Sequence, residues 1–379
     1  MKILINGVNL KVGGGVTVIM NFLKSVIENS EFHQHRYHVL VPSGVGYEEF
    51  NTSPVKVEII PEVMKSPFKR LWLDYTWFDK KIKEVKPDVI FTMGNIAIPS
   101  QVKQGVLFMY PYAIYPEEAK VWEILTLKNR IDLRLRNRLF KSRLKYADMV
   151  FPQTKTSEKR LHQYYRKRLN KTCVIPTAYS KIDSGEKGLS FFDKQEGGKY
   201  LLCLTKYYKH KNVEIFLPLA KKLKAKGSKL KIVTTIGADQ GEGAKRFIEK
   251  IAKNKLESHL INIGPVPFKD VPALYEHVDA LILPTLLESF SATYADSLSL
   301  RVPIFTSDRD FAKDVCGDSA FYFDPLNAEN IYQTLIVAFD KPKLMKEKIE
   351  KGYQRASTFP NWKAVTTMFV ENLEKLGNE

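Results

Sequence analysis

The segment Asp279–Leu300, DALILPTLLESFSATYADSLSL, is the most informative part of this chain. Its first residues, Asp279–Pro284, are mostly apolar and predict a buried strand, and a short loop then leads to a helix predicted to begin just after Glu288. Asp296 follows at the eighth position, about 12 Å further along a helix axis. The free amides of such a helix N-terminus, at Ser289–Ser291, favour a phosphate or a sugar hydroxyl. The alternative is an ordinary strand–loop–helix unit in which Glu288 is a chance loop acid.

Strands and helices alternate along the chain in two series, one before and one after residues 180–199. Alternation of this kind predicts parallel sheets with helices on both faces. The segment 180–199 is rich in Gly, Ser and charge, which is typical of a domain boundary. We therefore predict an α/β fold with two doubly wound domains, 1–185 and 195–355, and a ligand site in the cleft between them. A C-terminal helix at about 361–379 is expected to pack back on the first domain.

The composition is that of a soluble globular protein, with 379 residues, 44% hydrophobic and 27% charged. No apolar run approaches the roughly 20 residues that span a bilayer. The opening MKILING predicts a first strand and not a signal peptide. The three scattered cysteines favour reduced structural residues over a disulfide framework or a zinc site. These features together predict a cytoplasmic location.

The net charge of +17 is concentrated in the first half of the chain. Residues 128–171 alone hold 15 basic and 3 acidic residues. Charge localised in this way favours an anionic partner such as a membrane surface, a lipid phosphate or nucleic acid, and the alternative is a solvated Lys-rich face. No helix-turn-helix, zinc-finger or RNA-binding aromatic pattern supports nucleic acid.

A basic amphipathic segment lies inside this region. A long helix is predicted over 117–147, in which Ile131, Leu135 and Leu139 recur at four-residue spacing beside a broad cationic flank. Such a helix can lie on an anionic leaflet, or it can pack its apolar stripe against its own sheet. We predict attachment to an anionic membrane surface, on the inner face of the membrane.

Two further motifs follow predicted strands. The glycines Gly13–Gly15 come after the first strand, where they let the backbone approach a ligand and expose a helix N-terminus. They do not form G-x-G-x-x-G, and no acid follows the second strand to hold a ribose, so a dehydrogenase is disfavoured.

Lys206 and Lys211 bracket the loop after the first strand of the second domain, where two cations could neutralise a pyrophosphate. The alternative for the glycines is a flexible loop, and the alternative for Lys206 and Lys211 is a pair of solvated lysines.

These sites, in this order and separation, resemble the retaining nucleotide-sugar transferases of glycosyltransferase family 4. The similarity covers nearly the whole chain and is most specific in IGPVPFKDVPALYEHVDALILPTLLESFSATYADSL, RVPIFTS and AFYFDPLNAENI. The resemblance implies the GT-B fold, with two Rossmann-like domains facing across a cleft. It also implies a hexosyltransferase-type enzyme that moves a sugar from a nucleoside diphosphate sugar to a growing glycan or lipid-linked glycan, as in polysaccharide biosynthesis. No cofactor is implied, and no matched site offers a carboxylate cluster for a metal.

The resemblance implies roles for individual residues. Glu288 is implied to touch the transferred sugar and Lys211 to grip the diphosphate together with Lys206. Asp296 is implied to contact the nucleotide ribose. The other donor-binding residues are implied to be Gly14, Gly15, Gly264, Val266, Ser289, Phe290 and Ser291, and the acceptor-side residues Thr17 and Tyr110.

Three residues depart from the family pattern. Lys206 replaces the usual Arg, which keeps the charge but loses bidentate geometry. Asp296 replaces Glu and reaches one methylene less. Met109 or Tyr110 stands where many relatives carry a His beside the reacting sugar, which leaves open a catalytically inactive nucleotide-sugar-binding relic.

A nucleotide-sugar epimerase on the same fold is the other alternative, although it needs His and carboxylate partners and His is scarce near the matched loops.

Overall fold

The structure is a computed structural model that describes residues 1–11, 13–60, 74–178 and 191–379. Most of the segment expected to link the domains, 180–190, lies outside the described residues. The chain divides into two compact units. Unit 1 comprises Met1–Glu117, Thr126–Ala178 and Pro360–Glu379. Unit 2 comprises Glu118–Leu125 and Tyr179–Phe359.

Strands and helices alternate through the described part of both units. In chain order the strands are β1 (Lys2–Asn6), β2 (Arg36–Val41), β3 (Val55–Ile59), β4 (Val89–Thr92), β5 (Gln104–Phe108), β6 (Met149–Pro152), β7 (Lys171–Thr172), β8 (Lys199–Cys203), β9 (Leu230–Thr234), β10 (Leu260–Asn262), β11 (Ala280–Leu283), β12 (Ile304–Ser307) and β13 (Ala320–Phe323). The helices are α1 (Gly14–Glu28), α2 (Trp77–Val85), α3 (Ala119–Ile124), α4 (Leu127–Arg143), α5 (Lys155–Tyr165), α6 (Phe216–Ala225), α7 (Glu242–Lys253), α8 (Val271–Glu276), α9 (Ala292–Ser299), α10 (Asp310–Cys316), α11 (Ala328–Phe339), α12 (Pro342–Ala356) and α13 (Trp362–Gly377).

The described strands form one parallel sheet in each unit. The order is β3-β2-β1-β4-β5-β6-β7 in unit 1 and β10-β9-β8-β11-β12-β13 in unit 2, and every paired strand is parallel. In each sheet the first strand of the unit lies next to the strand at which the order reverses. Ligands of open parallel sheets bind beyond the carboxyl ends of the strands at such a reversal. The topology therefore directs attention to the loops after β1, β4, β8 and β11.

The core of unit 1 shows why the C-terminal helix belongs to this unit. Phe22 of α1, Phe91 of β4 and Phe151 of β6 are buried together with Phe369 of α13. The ring of Phe369 lies 4.9–6.1 Å from the other three rings. Aromatic contacts at these distances add to the free energy gained from apolar burial.

Several predicted boundaries were wrong. The single helix predicted over 117–147 is two helices, because Thr126 adopts an extended conformation and its side chain accepts a hydrogen bond from the amide of Asn129, which starts α4. The sequence TCVIPTAY at 172–179 predicts a strand, but among its described residues only Thr172 lies in one, the two-residue β7. The helix predicted to begin just after Glu288 begins at Ala292, with Ser291 in an extended conformation before it.

Candidate active site

The loop after β8 is tied to the loops after two other strands of unit 2. It contains a helical turn at Lys209–Lys211, and the carbonyl of His210 accepts hydrogen bonds from Leu286 N at 2.7 Å and Thr285 Oγ1 at 3.2 Å. The side chain of Asn212 donates to the carbonyls of Pro284 at 3.3 Å and Pro325 at 2.8 Å. These contacts fix the turn at the carboxyl ends of β8, β11 and β13.

Asn212 itself was missed by the sequence reasoning. Its φ of 55° lies in the left-handed region, which Asn tolerates better than most residues with a Cβ. The only signal in the sequence is an Asn directly after Lys211, and the two carbonyls that it contacts lie 72 and 113 residues away along the chain.

The structure brings together Lys211 and Glu288, the two residues expected to be catalytic. Lys211 Nζ donates a hydrogen bond to Glu288 Oε1, and their side chains are only 16% and 9% exposed. An ion pair so little exposed needs both partners, because a single charge would be left without compensation. The pair presents a cation and a carboxylate side by side at the edge where ligands of parallel sheets bind.

The other cations of this loop differ in their surroundings. Lys209 Nζ lies 2.6 Å from Glu214 Oε1, which also accepts a hydrogen bond from Tyr207. The side chain of Lys206 is exposed and makes no hydrogen bond or ion pair with any described residue. Lys206 is therefore available to an anion, whereas the charge of Lys209 is already compensated.

His210 is half-buried between these lysines and stacks on Tyr208, with ring centroids 5.5 Å apart. Burial, and secondly the charge of Lys211, lower the pKa of His210 to about 3. The imidazole is therefore neutral at physiological pH. The contacts of His210 that hold the loop are made by its backbone carbonyl and not by its imidazole.

The loop from Glu288 to Ser291 leads to α9. Ser289 and Ser291 are buried, Phe290 is half-buried, and Ser291 Oγ lies 2.9 Å from Thr293 Oγ1. Since α9 begins at Ala292, the amides of Ser289 and Phe290 belong to the loop and not to the first turn of the helix. The prediction that Ser289–Ser291 supply helix N-terminal amides was therefore wrong in its helical part.

Asp296 lies on α9, half-buried, and its carboxylate makes no hydrogen bond or ion pair with a described residue. Burial raises the pKa of this carboxyl group to about 7. The hydroxyl of the neighbouring Tyr275 donates to the carbonyl of Thr293 at 3.3 Å, and burial, with the charge of Asp296 second, raises the pKa of Tyr275 far above its ordinary value. A desolvated carboxylate with free acceptor sites is suited to bind hydroxyl donors.

Gly264 and Val266 lie in the loop after β10. The side chain of Asn262 accepts hydrogen bonds from Ile236 N at 3.0 Å and Thr234 Oγ1 at 2.9 Å and donates to the carbonyl of Ile236 at 2.9 Å. This network ties the loops after β9 and β10 together. Gly264 has a φ of 76°, and no atom lies within 4 Å of the position that a Cβ would occupy.

In unit 1 the glycine loop lies against the end of β5. A Cβ at Gly15 would lie 2.7 Å from Leu10 Cδ2 and 3.4 Å from Met109 Cε, whereas Gly14 is exposed with no atom within 4 Å of its Cβ position. Thr17 is half-buried on α1. The hydroxyl of Tyr110 is buried and has no hydrogen-bond partner in the described part of the chain, and burial raises its pKa well above the ordinary value.

No group of three or more His, Cys, Asp or Glu side chains among the described residues is placed to hold a metal ion. The sequence Asp308-Arg309-Asp310 spells the D-x-D pattern of metal–nucleotide sites in another transferase fold. In unit 2, however, Asp308 lies 2.6 Å from Lys313, and Asp310 accepts a hydrogen bond from the amide of Phe311 at 2.8 Å.

Comparison with known proteins relates the second half of the chain to a family model. Residues 189–355 match the family model described as glycosyl transferases group 1. This segment contains the Lys211–Glu288 pair, Asp296 and the loop after β10. The match and the relatives below indicate a transferase enzyme.

One curated relative is the O-antigen chain mannosyltransferase RfbU of Salmonella typhimurium, which is 22% identical over 198 residues, or 52% of each chain. The chain spans between 31% and 60% of the length of the curated relatives it matches. Sucrose-phosphate synthase from Thermosynechococcus elongatus has a similar structure, with a TM-score of 0.78, 12% identity and 99% of each chain covered.

HepE from Anabaena, solved in complex with UDP-glucose, is also similar, with a TM-score of 0.70 and 13% identity over 99% of this chain and 100% of that one. These likenesses show the fold. The prediction of an α/β protein with two Rossmann-like parallel-sheet domains of the GT-B type is confirmed. No helix among the described residues is long and apolar enough to span a bilayer.

Proposed function

We propose that the protein is a retaining glycosyltransferase of family 4. It would transfer a sugar from a nucleoside diphosphate sugar to a growing glycan, of the polysaccharide or lipopolysaccharide type, that is linked to a lipid during its synthesis. The observation that carries the proposal is the Lys211–Glu288 ion pair at the carboxyl ends of β8 and β11, inside the segment that matches the family model.

The cations of the loop after β8 are suited to a diphosphate leaving group. The three hydrogens of Lys211 Nζ allow it to keep its bond to Glu288 while it donates to a phosphate oxygen. Lys206 adds a second charge that no described residue compensates. Cations held in place before the reaction stabilise the charge that develops on the departing diphosphate. In this proposal the chemistry needs no metal ion.

The two acids are proposed to hold the sugars of the donor. Glu288 is buried and held by Lys211, so its remaining acceptor sites can bind a hydroxyl of the transferred sugar. The carboxylate of Asp296 can accept the hydroxyls of the nucleotide ribose. The residues Gly14, Gly15, Gly264, Val266, Ser289, Phe290 and Ser291 keep their proposed place around the donor, and Thr17 and Tyr110 theirs on the acceptor side.

We also propose that unit 1 attaches to an anionic membrane surface through the exposed face of α4. Leu127, Ile131 and Leu135 are 71%, 49% and 53% exposed, and Arg134 and Arg138 lie exposed among them. The core-facing residues of this helix are others, such as Leu133 and Phe140. Exposed leucines and isoleucine flanked by arginines are typical of a helix that lies in a membrane interface. In this proposal the enzyme lies on the inner face of the membrane.

A donor screen tests the proposed reaction. The protein is incubated with UDP-, GDP- and ADP-sugars and with membrane-extracted glycan acceptors, and release of the nucleoside diphosphate and the anomeric configuration of the product are measured. We expect transfer with retention from one donor, and a loss of about 10²–10³ in turnover for Glu288→Gln. An epimerised donor without transfer would support the epimerase, and donor binding without any turnover the inactive relic.

Vesicle sedimentation tests the proposed membrane partner. Binding to anionic vesicles should weaken in Arg134→Glu/Arg138→Glu while nucleotide-sugar binding is unchanged. Arg246→Glu/Lys250→Glu on α7 is the matched control, since both residues are exposed and belong to unit 2. Equal binding to anionic and neutral vesicles would contradict the attachment.

A further inference from the structure

A strongly basic groove of about 780 Å³ lies in unit 1, apart from the residues assigned above. Five cations line it, two from the end of α4 and the residues after it, and three from the turn that follows α5. They are Lys141, Lys145, Arg166, Lys167 and Arg168, and we call this site the cationic groove. All five side chains are exposed.

The topology of unit 1 places the cationic groove at the opposite edge of the sheet from the glycine loop. Lys141 and Lys145 precede β6, and Arg166–Arg168 precede β7, so both segments lie near the amino ends of these strands. Gly15 and Met109 follow β1 and β5 and lie at the carboxyl ends. Because the sheet is parallel, these are two different edges, and the groove is a separate site within unit 1.

Three of the residues that line the cationic groove are held in place by hydrogen bonds. The hydroxyl of Tyr164 donates to Glu117 at 2.5 Å, and that of Tyr165 donates to the carbonyl of Ala113 at 2.9 Å. Asn170 donates to the carbonyl of Ala147 at 3.0 Å. These three lining residues therefore need no further ordering when a ligand binds.

The charges of the cationic groove are uncompensated. The residues that line it include no carboxylate, and none of its five cations forms an ion pair with a described residue. Lys171, which directly follows the groove residue Asn170 in the chain, is by contrast paired, since its Nζ lies 2.5 Å from Glu379 Oε1. Uncompensated cations around one cavity attract a ligand with several negative charges.

We propose that the cationic groove binds a lipid-borne group with two neighbouring phosphates. Five cations exceed what one phosphodiester can neutralise, and the two arginines can bind phosphate oxygens in a bidentate manner. Lys141 lies on α4 and Lys145 just after it, and the exposed face of this helix carries Leu127, Ile131 and Leu135, which favours a phosphate at a bilayer over a soluble anion. The inference rests on the proposed function in that it names the headgroup chemistry of the membrane partner.

The test compares vesicles of equal surface charge. One set contains phosphatidylcholine with diphosphatidylglycerol, and the other contains phosphatidylcholine with phosphatidylglycerol at the same total phosphate charge. The wild-type protein should bind the first set more tightly. Each cation near the surface contributes about fivefold in affinity, so Arg166→Gln/Lys167→Gln/Arg168→Gln should bind these vesicles on the order of 100-fold more weakly. Inorganic diphosphate should compete with the vesicles for the wild-type protein.

The matched control is Arg246→Gln/Lys250→Gln/Lys253→Gln on α7, which removes the same charge from exposed positions of unit 2 and should leave the preference unchanged. Equal binding of both vesicle sets by the wild-type protein, or equal loss in both triple variants, would overturn the proposal. Tighter binding of a single-stranded RNA probe than of vesicles would overturn it in favour of nucleic acid.

Nucleotide-sugar binding is measured in parallel on the same proteins. If diphosphatidylglycerol is preferred but no nucleotide-sugar binds, the proposed reaction fails and the groove stands. If a nucleotide-sugar binds and the vesicle preference is absent, the proposal for the cationic groove is rejected and the proposed reaction is not affected. Circular dichroism confirms that each variant is folded, and Lys141→Gln/Lys145→Gln, on the other wall, provides an independent variant if the first is unstable.

Discussion

Replacing Asp296 by Asn should stabilise the protein above pH 7. The pKa of this carboxyl group is about 7 in the fold against an ordinary value of 3.8, because burial disfavours the charged form. The folded state therefore holds the proton more tightly than the unfolded state. The free energy of unfolding must fall as the pH rises from about 4 to about 7, and the full penalty is present above that window.

The magnitude follows from the pKa difference. About three units at 1.36 kcal/mol each amount to about 4 kcal/mol at pH 8, and about 1.5 kcal/mol remains at pH 5. For a domain of this size each kcal/mol shifts the melting temperature by about 2–4 °C, so Asp296→Asn should melt about 10 °C higher at pH 8 and only about 4 °C higher at pH 5. Thermal melts of the wild-type and variant proteins between pH 5 and pH 8 measure both differences.

The control is Asp279→Asn in the same unit. The carboxylate of Asp279 accepts a hydrogen bond from Tyr200 N at 2.9 Å and lies 3.0 Å from Lys199 Nζ, so its removal should not stabilise the fold at pH 8. Equal melting temperatures of Asp296→Asn and wild-type protein at pH 8, or a difference that does not change with pH, would refute the reasoning. If Asp296 binds a ribose, the same variant should bind nucleotide-sugars more weakly, a loss of function with a gain of stability.

Three further predictions concern other parts of the site. Asn212→Ala should lower the free energy of unfolding by about 2 kcal/mol, because it removes two hydrogen bonds and strains a left-handed position, and urea titration would show no change if the loop ties are unimportant. Gly15→Val should lower transfer, since its side chain would meet Leu10 and Met109, and unchanged turnover of this variant would contradict a close approach at Gly15. Transfer should persist in EDTA, and a loss of activity that Mn²⁺ restores would point to a metal site instead.

Much of the fold could be predicted because apolar runs and their spacing report burial along one segment. The strand predicted over Asp279–Pro284 matches β11 (Ala280–Leu283) for this reason, whereas the apolar run 172–179 contributes only Thr172 to β7. The break before α4 was missed because Leu125 and Thr126 continue a helical pattern, and only the cap at Thr126 ends it. A side-chain cap can end a helix even where the spacing of apolar residues continues, so the spacing alone does not reveal the break.

The sequence names candidate site residues, but it does not give the contacts between them. Lys211 and Glu288 are 77 residues apart, and they meet because β8 and β11 are neighbours in the sheet, which no local pattern reveals. The sequence also does not distinguish Lys209 from Lys211 by charge or position. Only the structure shows that Glu214 compensates the first, while the second pairs with Glu288.

The central claim is that Lys211 and Glu288 form the binding site of a nucleoside diphosphate sugar. Calorimetric titration with UDP and GDP and with their sugars compares the wild-type protein, Lys211→Ala and Lys209→Ala, two variants that remove the same charge from the same loop. We expect one nucleoside diphosphate to bind the wild-type protein and Lys209→Ala with similar affinity and to bind Lys211→Ala at least about tenfold more weakly. Equal affinity of all three proteins, or a larger loss in Lys209→Ala, would contradict it.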